Sequence, residues 1–296
     1  MVGRDKVNMT DPDTFAGKNK KGVYQSVYNV IFASNSDSKF ILANNIADSY
    51  VDTNQLQPMV EKLKDMDLIM KDTTMSADSI FNTGKALQYL EDENIKGLIP
   101  DKYEASVSKN KDYEAENKYH KHNFTYDLEN DYYTCPEGNI LPFKKQYKDG
   151  KRAYYNNLCK NCHAKEECAK NQNTRVIFSY EGEQARQRMK IEMEKAENQE
   201  EYKKRSSTAE SPIGDIKHNN KFQEFTVRGE EKVYAESLKF SFSHNVRTLV
   251  KALSEQGLDI IKIMKQLSKE LKNTSILNIC HTFFIKIQIA HTVILY

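Results

Sequence analysis

Four cysteines within 34 positions constrain this chain more than any other feature. Cys135, Cys159, Cys162 and Cys168 are spaced C-x23-C-x2-C-x5-C. A C-x2-C pair brings two thiolates to one tetrahedral metal at a Zn–S distance of about 2.3 Å, and two further cysteines complete the shell. Four thiolates leave no open position, so the spacing predicts a structural zinc and not a catalytic one. Cys135-Pro136-Glu137-Gly138 predicts a tight turn suited to a metal knuckle, and His163, beside Cys162, is a substitute ligand. Disulfides or unligated thiols remain the alternative, because redox pairs share the C-x2-C spacing. Five cysteines in 296 residues do not make a disulfide scaffold, and Cys280 lies apart in an apolar tail.

The hydrophobic pattern on either side predicts mixed structure. Residues 1–22 are polar and predict loop. Val27–Ala33 is β-branched and aromatic and predicts a strand, Ser34–Lys39 a turn, and Phe40–Ala43 the returning strand. Asp52 opens a predicted helix through Lys64, with Leu56, Met59, Val60 and Leu63 at helical spacing. Thr83–Glu93 predicts a second helix and Ile95–Pro100 a short strand, whereas Lys71–Met75 is unusually polar for a central strand. Hairpin, helix, strand, helix, strand is the order of an α/β fold, a mixed sheet with flanking helices. Residues 101–134 are charged and tyrosine-rich and predict a linker. Beyond the cysteines, Thr174–Tyr180 predicts a strand, Glu181–Lys204 a long polar helix, and Val233–Ala252 a further helix. Leu258, Ile261, Met264, Leu267 and Leu271 form the apolar stripe of a last helix.

Charge is unevenly spread. Lys+Arg 44 against Asp+Glu 42 leaves a net of only +2, which excludes a global polyanion-binding charge. Asp37–Asp101 holds twelve acidic and six basic residues, and Asn139–Arg175 nine basic and three acidic. Lys144, Lys145, Lys148, Lys151 and Arg152 are interleaved with Phe143, Tyr147, Tyr154 and Tyr155. Basic residues bind phosphates and aromatic faces stack bases, so this stretch is a DNA-contact candidate. An ordinary solvated surface is the alternative. The first thirty residues lack the apolar segment of a secretory signal. The tail Ile276–Tyr296 is apolar, but Lys286 sits near its middle. A lysine at a bilayer centre costs about 2.5–3.5 kcal/mol, so the tail reads as a buried or partner-facing segment, or as readthrough with no selected fold, and not as a membrane span.

Glu210 and Lys217 lie seven residues apart, nearly the same face of a helix two turns on. A carboxylate can hold a divalent metal and a lysine behind it a phosphate. Tyr202 and Arg205 precede them. Ser207-Thr208-Ala209-Glu210 also fits a capping box at the start of a helix opening near Ser207 or Pro212, so the two readings stand together.

Taken in order, these pieces resemble the DDE transposases of bacterial insertion sequences, in the branch with a four-cysteine insertion. The resemblance rests on Thr10-Asp11-Pro12-Asp13, Tyr28-Asn29-Val30, Asp52–Met59, Ala77-Asp78-Ser79-Ile80-Phe81, Ile95–Lys102, the cysteine module, Arg205–Lys217, Phe222–Gly229, and His244-Asn245-Val246-Arg247. It implies a ribonuclease H-like core over 23–104 and 176–255, interrupted by a linker and the zinc-binding insertion over 105–175, with a C-terminal helix and tail over 256–296. It implies that carboxylates hold Mg²⁺ for attack on a phosphodiester, with Asp78 the second carboxylate and Glu210 the third. Tyr202, Arg205 and Lys217 would position the DNA strand or its phosphate. It further implies insertion-sequence ends as substrate, a homo-oligomer or a full-length transposase as partner, and a cytoplasmic, nucleoid-associated protein without a membrane span.

Three departures matter. The first catalytic aspartate belongs on a strand before Thr10, and Asp11, Asp13 and Asp37 fall in loops or turns that do not replace it. The Gly-Tyr that should follow Asp78-Ser79 is Ile80-Phe81, and the spacing from Arg205 to Glu210 is one residue too long. The expectation is an N-terminally incomplete transposase, impaired in strand cleavage and transfer. The alternatives are a non-catalytic zinc-containing DNA-binding protein and a decayed reading frame.

Overall fold

The computed structural model describes residues 8–18, 22–49, 51–109, 118–170, 172–218, 222, 224–255 and 292–295. The chain forms two units, one of residues 1–77 with 199–296 and one of residues 78–198.

The first unit opens with a correction. Phe15–Lys18 (β1), inside the stretch 1–22 expected to be loop, and Tyr24–Val27 (β2), just after it, form an antiparallel ribbon. Ladder hydrogen bonds join backbones whatever the side chains, and β2 is largely exposed, so no apolar alternation announces it. Val30–Asn35 (β3) and Ile41–Ile46 (β4) make the expected hairpin, paired antiparallel from Val30↔Ile46 to Ser34↔Ile41. Leu56–Asp65 (α1) buries Leu56, Met59, Val60 and Leu63 completely, the face its spacing predicts. Thr74–Ser76 (β5) is the polar strand, and all three of its residues are buried. Short hydroxyl side chains are small enough to bury between neighbouring strands.

The second unit begins at Asp78. Gly84–Asp92 (α2) and Lys96–Leu98 (β6) agree with the expected helix and strand. The expected linker is instead folded. It contains Lys102–Lys109 (α3), Thr125–Asp127 (β7) and Tyr132–Thr134 (β8). With Ile140–Gln146 (β9), Arg152–Tyr155 (β10) and Val176–Ser179 (β11), the last two form an antiparallel meander in the order β11-β10-β9-β8-β7. The short helix Lys165–Cys168 (α4) lies between β10 and β11. Phe124, Tyr126, Tyr133, Leu141, Tyr154 and Ile177 form the core of this sheet, and Cys135 and Cys168 pack at its edge. Tyrosine-rich polar sequence can do this because one carboxylate serves two phenols. Tyr126 and Tyr154 each donate to Asp131 Oδ1 at 2.7 Å. Glu183–Glu194 (α5) closes the unit against α2.

The chain then breaks at Lys195, in extended conformation, and Ala196–His218 (α6) returns it to the first unit. α6 runs through both expected starts: Ser207 lies well inside it, and Pro212 is within the helix rather than in its first turn. The capping-box reading of Ser207 and Glu210 is therefore overturned, because a cap needs non-helical backbone. Glu230–Glu255 (α7) packs on β4. The stripe Leu258–Leu271 and the tail up to residue 291 lie outside the described residues. Thr292–Leu295 (β12) forms a strand between β3, to which it is antiparallel, and β5, to which it is parallel. The strand order here is β4-β3-β12-β5, and Ile294 and Leu295 are buried. Among the described residues no helix is long and apolar enough to cross a membrane.

Candidate functional site

β8 delivers Cys135 into the expected turn. Gly138 N donates to Cys135 O at 2.8 Å, and Asn139 N donates to Cys135 Sγ at 3.3 Å. Gly138 has φ 78, the left-handed backbone that glycine adopts without strain. Cys159 sits in the 3₁₀ turn Asn157–Asn161, Cys162 follows it, and Cys168 ends α4. The four thiols, all reduced and partly buried, line one cavity of about 20 Å³ together with Phe124, Glu137 and Arg175. Burial pushes the Cys168 thiol up, Arg175 opposes this, and Cys135, Cys159 and Cys162 add to it. Among the described residues no set of three or more His, Cys, Asp or Glu side chains is arranged to hold a metal ion. The thiols thus share a cavity without standing at ligand geometry. His163 does not line it: its Nε2 lies 3.0 Å from Glu137 Oε2, on the exposed side. Glu137 also accepts from Lys118 Nζ at 2.9 Å and Tyr119 OH at 2.8 Å, which hold its carboxyl down to about 2.

The basic stretch lies on β9 and β10 and their connection. Tyr154 is fully buried and cannot stack a base, which corrects its expected role. Phe143 and Tyr147 are 37% and 39% exposed, but protein cations already cover them. The Arg152 guanidinium lies 4.4 Å from the Phe143 ring centre, Lys145 Nζ 4.7 Å from Tyr147, and Lys151 Nζ 3.9 Å from Phe178. Arg152 is also paired with Asp131. Lys144 and Lys148 are exposed.

Asp78 is exposed, and its Oδ1 accepts from Ser79 N at 2.6 Å, capping the short turn Ser79–Phe81. Phe81 is 1% exposed and anchors that turn. α6 carries Tyr202, Arg205, Glu210 and Lys217. Arg205 lies 6.0 Å from the Tyr202 ring centre, and its Nη2 donates to Leu295 O at 3.4 Å. Lys217 is exposed in the last turn. The side chain of Glu210 lies outside the described residues, and Asp78 belongs to the other unit. The structure brings the four cysteines together, and Tyr202 with Arg205.

Two clasps escaped the sequence reading as functional geometry. His244, 4% exposed on α7, lies 2.9 Å from Asp215 Oδ2 on α6 and 2.9 Å from Lys39 O in the β3–β4 turn. Arg247 Nη2 reaches the same Asp215 oxygen at 3.1 Å. Asn245 Oδ1 accepts from Ile41 N and its Nδ2 donates to Ile41 O, both at 2.8 Å. His244-Asn245-Val246-Arg247 thus ties α6 and α7 to the hairpin. In the second clasp, Tyr28 OH donates to Asp11 Oδ1 at 2.7 Å and accepts from Gly229 N at 2.9 Å, while Glu230 N donates to Asp13 Oδ2 at 3.0 Å. Asp11 and Asp13 are therefore held in packing contacts around the start of α7. Most residues of both clasps stand in recognisable sequence motifs, but only the fold makes them neighbours.

In comparison with protein families, a family model described as transposase DDE domain matches residues 134–250. That is less than half of the 296 residues. Comparison with curated proteins and with solved structures gives no match.

Proposed function

We propose that this chain is transposase-derived and acts on DNA, with a ribonuclease H-like core and a cysteine insertion. The observation that carries the proposal is the transposase DDE match over 134–250. That span runs from the cysteine module through α6 to His244–Arg247 in unbroken order. Asp78 and Glu210 would be the carboxylates for a divalent ion such as Mg²⁺. Such an ion, when bound, activates an attacking water or 3′-hydroxyl and stabilises the leaving oxygen. The exposure of Asp78 suits a ligand, and its capping contact fixes the backbone that presents it. Tyr202, Arg205 and Lys217 would bind the strand and its phosphates. The substrate class is insertion-sequence end DNA, and the partner a second copy or a full-length transposase.

With Asp78 and Glu210 as the assigned ligands, two carboxylates hold a metal pair less well than three, so strand cleavage and transfer by these residues alone are expected to be impaired. The test is incubation of the purified chain with duplex DNA bearing terminal repeats, with and without Mg²⁺. The expected result is binding without cleavage. Robust Mg²⁺-dependent cleavage, abolished by Asp78→Ala and by Glu210→Ala, would refute the impairment and support the two site assignments. Absence of DNA binding at low salt would refute the whole reading.

A second reading, a non-catalytic zinc-containing DNA-binding protein, is favoured by the four thiols on one cavity and the lysines of β9 and its loop. Cys135, Cys159, Cys162 and Cys168 would hold the zinc, which would supply cross-linking of the module and no chemistry. DNA binding that persists without Mg²⁺ and disappears on zinc removal would favour it over the first.

A further inference from the structure

The sheet of the first unit contains a chemical mismatch. Ile294 of β12 stands opposite Ser34 of β3 on one side and opposite Ser76 of β5 on the other. Residues paired in one row point to the same face of a sheet. The row therefore places an aliphatic side chain between two hydroxyls. Ser34 is 0% exposed and Ser76 1%, and among the described residues neither Oγ has a hydrogen-bond partner. Native interiors contain few such groups, and here two flank the same residue. Ile294 is itself 1% exposed, so the row is closed to bulk solvent.

We propose that the slot between β3 and β5 is a strand-acceptor site for another polypeptide. The fitting occupant is an extended segment with Asp, Asn, Ser or Thr in the row between Ser34 and Ser76, and Thr292–Leu295 is a placeholder that it displaces. A hydroxyl donates one proton, so a carboxylate or amide oxygen placed between the two serines accepts from both. The slot offers a backbone ladder on both edges, which any incoming strand can use, and row chemistry then selects among strands. The placeholder is only four residues long. Arg205 Nη2 donates to Leu295 O, a carbonyl of the kind that every strand carries. A second copy of this chain would bring the same Ile294 and cure nothing, which points to a different sequence as the occupant. The proposal concerns strand exchange and does not depend on metal or phosphodiester chemistry.

The test uses the full chain. Ile294→Val and Ile294→Thr create side chains of equal shape, and at an ordinary buried position the threonine is the less stable. Here Ile294→Thr is expected to melt at or above Ile294→Val, because its hydroxyl meets Ser34 and Ser76. Melting below Ile294→Val would overturn the mismatch. For strand exchange, labelled twelve-residue peptides differing only by Asp, Thr or Ile at the row position are titrated against the chain by fluorescence anisotropy. The Asp and Thr peptides are expected to bind about tenfold tighter than the Ile peptide, the worth of one recovered hydrogen bond. Equal affinity, a preference for Ile, or no binding of any peptide would overturn the acceptor site.

Discussion

Asp131 shows how one side chain decides whether a polar sequence folds. Burial alone would raise its carboxyl, but Tyr126, Tyr154 and Arg152 together hold it below the usual carboxylate range. Asp101 is likewise lowered against its burial, by Tyr103 N, His122 and Arg186. A depressed carboxyl contributes stability that is complete above the unfolded value and is lost as pH falls through the folded one. The 78–198 unit should therefore hold a constant melting temperature near neutrality and lose it below about pH 4. Asp131→Asn should flatten that acid limb in a thermal melt followed across pH. His244 carries a second prediction at this scale. His244→Ala leaves the Asp215 carboxylate and Lys39 O without their shared partner and should cost about 1–3 kcal/mol in denaturant unfolding. The cysteines were legible in the sequence because their spacing is local. Asp215 and His244 were not, because they meet across 29 positions and only packing makes them neighbours.

At the scale of elements, α2 and α5 meet through two glycines. A Cβ on Gly182 would run into the backbone of Gly84, and one on Gly84 into the carbonyl of Glu181. Gly182 also has φ 75, which an L side chain resists. Gly182→Ala should destabilise the unit by about 1–3 kcal/mol, visible as a lowered denaturation midpoint, and Gly84→Ala by a similar amount. The faces of α1 and α2 were legible because period and burial coincide. The polar strand β5 and the ribbon β1–β2 were not, because their side chains do not carry the alternation that marks a half-buried strand. The expected break before Glu210 failed for another reason. Serine and proline both favour helix starts, whereas the chain turns at Lys195, which carries no start signal.

For the whole molecule, the cysteine module lies in one unit while α6, from Gln199 onward, belongs to the other. If zinc is held by the four thiols, elemental analysis should give one zinc per chain. Cys159→Ser or a strong chelator should then raise hydrogen exchange within 118–179 and leave the sheet of β3, β4 and β5 unchanged. Zinc-free protein with unaltered exchange on chelation would remove the metal from the account. Replacing Lys144, Lys145, Lys148 and Lys151 by alanine should weaken DNA binding and shallow its salt dependence by about 0.9 per lost phosphate contact. An unchanged slope would move the DNA surface elsewhere. The mixed α/β character was legible from the order of elements. The division into units was not, because the tyrosine-rich stretch that builds the second unit has the composition of a linker.

The sheet of the first unit takes β3, β4 and β5 from the early part of the chain and β12 from residues 292–295. During synthesis the chain emerges in order, so the earlier strands must wait on the ribosome with an open gap between β3 and β5. Until position 292 has cleared the exit tunnel, the nascent protein exposes two unpaired strand edges to any chaperone or neighbouring polypeptide within reach.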